Sequence, residues 1–188
     1  VISRVIRPTE GRVWVRGRVA PLLELGAGFH PELTGRENVF LNGALLGHTQ
    51  REIQERFQQI VDFAAIGEFI DAPLRTYSTG MAVRLAFAVM AHVDADILVV
   101  DEALAVGDAR FVQKCMRFLR EFKERGTLLF VSHDTTAVAN LCDRVVWLDG
   151  GRLKAAGPAK RVRDMYLENL FESVQGASRA AGPAAAPA

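Results

Sequence analysis

Apolar side chains recur at two different periods along the chain, and the change from one to the other divides it. Ile53, Phe57, Ile60, Val61 and Ala64 fall on one face of an amphipathic helix, and "TGREN" supplies a capped start upstream of it. A largely helical lobe is therefore expected over about residues 34–92. Beyond it the period shortens. "DILVVD" reads as a buried strand, Ala109 to Arg125 as a helix with Phe111, Cys115, Phe118 and Phe122 inward, and "TLLFVSH" as a second strand. Strand, helix, strand predicts a right-handed parallel crossover.

The flanks carry weaker patterns. "VISRVI" predicts a helical stub, and the segment from Gly11 to Val19, with its "RVWV" run and Gly17, predicts a hairpin-rich edge. A short helix is expected at about Thr135–Leu141, a hairpin from "RVVWL" and "RLKAAG" around Asp149, Gly150 and Gly151, and a helix over roughly Ala159–Phe171. Residues 173–188 are rich in Ala, Pro and Gly with few large apolar side chains, so a disordered tail is expected there.

Composition narrows the reading. The 188 residues are 49% hydrophobic and 24% charged, enough for a real core, and 23 basic against 22 acidic residues leave a net charge of +1 that weighs against a nucleic-acid footprint. Cys115 and Cys142 lack metal-ligand spacing and fit ordinary buried thiols in a reducing compartment. The longest apolar stretch, "RLAFAVMAHV", falls far short of a membrane span.

The chemistry concentrates where a strand ends. "ILVVDE" runs aliphatic residues straight into Asp101 and Glu102, and buried carboxylates need a cation, a donor or a raised pKa, so a positive or proton-bearing partner is expected nearby. His133 ends the next strand. Ligands of open parallel sheets gather at that carboxyl edge, where a strand-end acid for a metal, a second acid for a water and a histidine suit phosphoryl transfer to water. Upstream, Ser78, Thr79 and Gly80 precede a helix whose free amides attract phosphate, although Ser78 or Thr79 as a plain N-cap explains them as well. Arg84 reads as the partner of a lobe acid or as a group approaching phosphate, Trp147 as a packing residue, and Trp14 as a packing residue or a neighbour of the adenine-side strands.

Taken in order, "YSTGM", "ILVVDE", "ALAVGD" and "VSHD" resemble the nucleotide-binding subunits of ABC transporters: the LSGGQ signature, the Walker B strand with its catalytic Glu, the D-loop and the switch histidine. The resemblance covers about residues 1–170. It implies an α/β fold, a P-loop NTPase-type core with a parallel sheet, an inserted helical subdomain and an antiparallel β edge. It implies ATP and Mg2+ as cofactors, with Asp101 on the metal, Glu102 and His133 catalytic, and Ser78, Thr79, Gly80 and Asp108 at nucleotide held by the opposite subunit of a homodimer. "ELGAGFHPELTGRENV" and "LCDRVVWLDGGRL" look like the branch exporting lipid-linked polysaccharide such as O-antigen, capsule or teichoic acid, at the cytoplasmic face of the membrane beside a permease subunit. Residues 26–39 would meet that permease. The implied divisions are 1–24 (core remnant and β edge), 25–95 (Q-loop-like segment, helical subdomain, signature helix), 96–157 (ATPase core), 158–172 (final helix) and 173–188 (tail).

Two departures from the family pattern stand out. The sequence contains no Gly-Lys pair, so it has no Walker A loop; a truncation just after that loop is expected, with the missing residues immediately upstream. Where the family carries its Q-loop Gln, Glu24 is the nearest polar candidate. Two rival readings remain open from sequence: a soluble ABC-type ATPase acting on nucleic acid or ribosomes, and a non-catalytic dimerising fragment.

Overall fold

The computed structural model of the chain describes all residues except 1, 4–5, 23–25, 27, 103–107 and 181–188, and describes residues 172–180 by backbone alone. It divides into two units, Val1–Val131 and Ser132–Ala188. The boundary falls inside the span expected to form one core.

The first unit holds a parallel sheet of β1 (Val19–Leu22), β2 (Ile97–Asp101) and β3 (Thr127–Val131), with β2 in the middle. Its register pairs Val19 with Ile97 and Asp101 with Val131. Leu98, Val99 and Val100 are buried, as a strand covered on both faces requires. The helices of this unit are α1 (Gly35–Leu45), α2 (Gln50–Ala64), α3 (Thr79–Ala91) and α4 (Ala109–Arg125), with short 3₁₀ turns at Gly67–Asp71 and Leu74–Thr76.

Two capping boxes start the helical lobe. Thr34 accepts a bond from the Glu37 amide while the Glu37 carboxylate accepts from the Thr34 amide at 2.7 Å, and Thr49 and Glu52 repeat the exchange at α2. Ile53, Phe57, Ile60 and Ala64 then turn inward and pack with Val39, Leu85, Ala88 and Val89. Val61 is only partly buried at the rim of this face. Ala65 ends α2 at φ +51°, in the left-handed region that usually selects glycine.

On α4 the buried residues are Phe111, Cys115, Leu119 and Phe122. Phe118 is half-buried and joins Phe63 and Phe87 edge-on, with centroids 6.3 and 6.0 Å away. Lys114 donates to the Phe63 carbonyl at 3.0 Å and lies over that ring, tying α4 to α2. Burial pushes the Cys115 thiol up to about 12, so it stays protonated and inert.

The second unit contains α5 (Thr135–Leu141), the antiparallel pair β4 (Arg144–Asp149) and β5 (Arg152–Pro158), and α6 (Ala159–Ala180). Gly150 and Gly151, both at positive φ, make the expected hairpin turn. Trp147 packs edge-on against Tyr166, with centroids 5.5 Å apart.

Four expectations need correction. β1 is not part of a hairpin: it lies parallel to β2, a partner some 78 residues away that local turn signals cannot reveal. "RVWV" pairs with no strand among the described residues, and Trp14 is 86% exposed rather than packed. Of the expected N-terminal helical stub only Ile2, Ser3 and Ile6 are described, the first two in a turn and Ile6 in a bend. The final helix runs on to Ala180, into the expected tail. Cys142 lies at the C-cap of α5, just past the helix. No helix among the described residues is long and apolar enough to cross a membrane.

Replacing Ala65 by Gly should raise stability by about 1 kcal/mol, read as a higher urea midpoint at unchanged slope, because the left-handed backbone no longer opposes a Cβ. The capping-box carboxylates predict an acid limb. Bonds from the Thr34 amide and hydroxyl hold Glu37 below its ordinary value, and those of Thr49 do the same for Glu52. Their contribution is complete above the unfolded glutamate pKa of about 4.3 and is lost as pH falls through the lower folded values. Glu37→Gln and Glu52→Gln together should flatten the fall in urea midpoint across that window.

Candidate functional site

The sheet delivers its two acids to the carboxyl edge. Asp101 is the last residue of β2, paired with Val131, and is exposed. Water hydrates it there, so the cation expected beside a buried carboxylate is not required. Glu102 leaves the strand at φ +48°, its amide donating to the Val131 carbonyl at 3.0 Å. That bond ties the left-handed residue to the neighbouring strand. A non-glycine residue in this region is uncommon, and such positions concentrate at functional sites.

Magnesium is held by one or two carboxylates completed by phosphate oxygens and water. A strand-end Asp101 open to solvent fits that role, and no group of three or more His, Cys, Asp or Glu side chains among the described residues offers an alternative cage.

Ser78 is the N-cap of α3, its Oγ accepting from the Met81 amide at 3.2 Å. The capping role weighed from sequence is thus present, and it leaves the Thr79 and Gly80 amides in the first turn, where no helix carbonyl reaches them. No acid sits in that turn. A Cβ built at Gly80 would meet only Ser78 Oγ, at 3.9 Å, so an anion can approach the backbone closely.

Asp108 opens α4 in the same way, accepting from the Phe111 amide at 2.9 Å. It also forms an ion pair with Arg84 on α3, whose guanidinium lies 5.7 Å from the centre of the Phe111 ring. The Phe111 amide, followed by the Arg84 charge, holds the Asp108 carboxyl below the usual range. Arg84 thus pairs with an acid, but one outside the helical lobe expected to supply it, and the pair ties α3 to α4. Sequence reasoning named both residues without joining them; nothing in a spacing of 24 marks such a pair.

His133 stands two residues beyond β3, in the second unit, and is exposed. Glu24 and residues 104–107 of "LAVGD" lie outside the described residues. His92 bonds the Ala88 carbonyl at 2.7 Å and meets Phe63 edge-on, and burial lowers its pKa, which makes it a core histidine.

The Glu102 backbone gives a test independent of catalysis. In the full-length protein, Glu102→Gly should be more stable than Glu102→Ala by about 1 kcal/mol, since only the alanine carries a Cβ at positive φ. Equal urea midpoints would show that the residue relaxes out of the left-handed region.

Comparison with known proteins gives the family. The chain is 52% identical over 171 residues to an O-antigen export system ATP-binding protein, RfbB, of Klebsiella pneumoniae, covering 90% of this chain and 70% of that one. It is 43% identical over 171 residues to a teichoic acids export ATP-binding protein, TagH, of Bacillus anthracis, covering 90% and 31%. A solved ATP-binding subunit of an ABC transporter superposes with a TM-score of 0.70 at 20% identity, over 84% of this chain and 68% of that one, which shows the shared fold. The family model described as ABC transporter matches residues 1–105, the span holding the N-cap serine and the strand-end acids, and the chain belongs to that family.

Proposed function

We propose that this chain is part of the ATP-hydrolysing subunit that drives export of lipid-linked polysaccharide, working as a homodimer beside a membrane permease at the cytoplasmic face of the membrane. The observation that carries the reading is the placement of Asp101 and Glu102 at the carboxyl end of a buried parallel strand, in a chain 52% identical to an O-antigen export ATP-binding protein. The 188 residues hold no Gly-Lys pair, so hydrolysis is assigned to the full-length protein.

Each residue has a distinct task. Bound magnesium would offset phosphate charge, with Asp101 as its protein ligand. Glu102 orients a water against the γ-phosphate of ATP and accepts its proton as the new P–O bond forms, and ADP departs with the electrons of the broken bond. His133 donates to the phosphoryl oxygens as charge gathers on them. Ser78 and the first-turn amides at Thr79 and Gly80 receive the γ-phosphate of nucleotide held by the partner subunit, so ATP closes the dimer. Asp108, fixed by its cap and by Arg84, acts at that interface. The near-neutral charge favours this reading over a nucleic-acid ATPase.

In the full-length protein Glu102→Gln should lower turnover by about 10²-fold or more while ATP still drives dimer formation, measured by phosphate release and by size-exclusion chromatography. Undiminished release would remove Glu102 as the base. His133→Ala should slow turnover as well; an unchanged rate would leave that histidine outside the reaction. Copurification with a membrane permease, rather than with RNA or DNA, is expected of the same preparation.

A further inference from the structure

Residues 30–34 run directly into α1, which opens with Gly35 and Arg36, and residues 69–77 run directly into Ser78. The two segments are zipped together. The Arg75 amide donates to the Pro31 carbonyl at 2.9 Å, the Leu74 amide to Leu33 at 2.8 Å and the Gly35 amide to Ala72 at 3.2 Å, with Thr34 and Pro73 bridged between them. Ion pairs flank the zip: Arg36 with Asp71 at 2.7 Å and Arg75 with Glu32 at 3.3 Å. On the other side the wholly buried Asn38 accepts from the His30 amide at 2.6 Å and donates to the His30, Leu33 and Thr34 carbonyls. The segment from His30 to Gly35 thus has its backbone polar groups pinned from both sides.

Tyr77 joins this zip to the signature motif. Its hydroxyl donates to the Phe69 carbonyl at 2.5 Å, its ring stands perpendicular to Phe69, and its amide donates to the Leu74 carbonyl at 2.9 Å. Its hydroxyl also fills the space over Gly35: a Cβ there would overlap it and would lie 3.0 Å from the Ile70 carbonyl oxygen. Burial raises the hydroxyl to about 12, so it remains a donor at any working pH. The leucine that begins the LSGGQ form of this motif has no hydroxyl and cannot make this bond.

We propose that Tyr77 is a positioning residue that holds Ser78 against the zipped segments, its hydroxyl bonded to the Phe69 carbonyl and lying over Gly35, so that a displacement of the His30–Gly35 segment reaches the phosphate-binding N-terminus of α3. The proposal rests on the reading of Ser78 as a contact to nucleotide held by the partner subunit. Tyr77 touches no reacting atom under this scheme. It sets where Ser78 stands when the dimer closes, and its loss should weaken closure and leave nucleotide binding by the single subunit alone.

The test uses the full-length protein carrying Glu102→Gln, with ATP-driven dimerisation followed by light scattering and nucleotide binding by the monomer followed with a fluorescent ATP analogue. Tyr77→Phe should raise the ATP concentration for half-maximal dimer by about three- to tenfold, the worth of one lost hydrogen bond, with monomer affinity unchanged. An unchanged dimerisation midpoint, or an equal loss in monomer affinity, would overturn the assignment. Gly35→Ala should weaken dimerisation on its own, and combining it with Tyr77→Phe should do less harm than the product of the two effects, because removing the hydroxyl relieves the overlap; strict multiplication would show that the Gly35 contact carries nothing. Ser78→Ala separates the two levels. If it abolishes dimerisation while Tyr77→Phe does nothing, only the Tyr77 assignment falls, whereas an innocuous Ser78→Ala removes the signature reading and the Tyr77 assignment with it.

Discussion

The burial of one short strand governs where chemistry can happen in this chain. β2 lies between two parallel neighbours with Leu98, Val99 and Val100 shut off from water, so its backbone groups must be paired and its side chains apolar until the sheet ends. Charge can appear only at the exit. Asp101 takes the first position that water reaches, and Glu102 turns away at positive φ under a bond to the Val131 carbonyl. Two adjacent carboxylates on a regular strand would point to opposite faces. The left-handed turn removes Glu102 from that alternation.

Helix caps give the site its second constraint. Ser78 and Asp108 each satisfy an amide at the start of their own helix, which fixes their backbones there. The ion pair of Arg84 with Asp108 then links α3 to α4, and Phe111 both receives the guanidinium over its ring and donates the capping amide. Capping and ligand contact are compatible here, because a cap consumes one amide and leaves others of the first turn free.

Periodic features were readable in the sequence and long-range pairings were not. Ile53, Phe57, Ile60 and Ala64 repeat at helical spacing, and "ILVVD" has the aliphatic run of a covered strand, so α2 and β2 declare themselves within a few residues. Leu119, not named from the sequence, is buried on α4, while Phe118 sits half-buried at the rim of that face against Phe63 and Phe87. β1 carries glycines on its flanks that signal turns, while its true partner lies across the whole helical lobe. Motif order located Asp101, Glu102, Ser78 and His133 in the chain. The Arg84 pair and the Tyr77 contact to Gly35 are products of tertiary packing, invisible to any local window.

The form of the signature motif follows from the same geometry. Of the five residues in "YSTGM", Ser78 and Gly80 keep the residue types of the LSGGQ form. Ser78 must offer an acceptor to the Met81 amide, and Gly80 must leave its Cα face open. Thr79 replaces a glycine at the first helical position, where the backbone is ordinary and a side chain costs little. Tyr77 replaces a leucine at a place that already packs against the lobe core, and its extra hydroxyl finds the Phe69 carbonyl. A Cβ at Gly80 would meet no clash, so the fold itself does not require that glycine, whereas the phosphate contact proposed for it does.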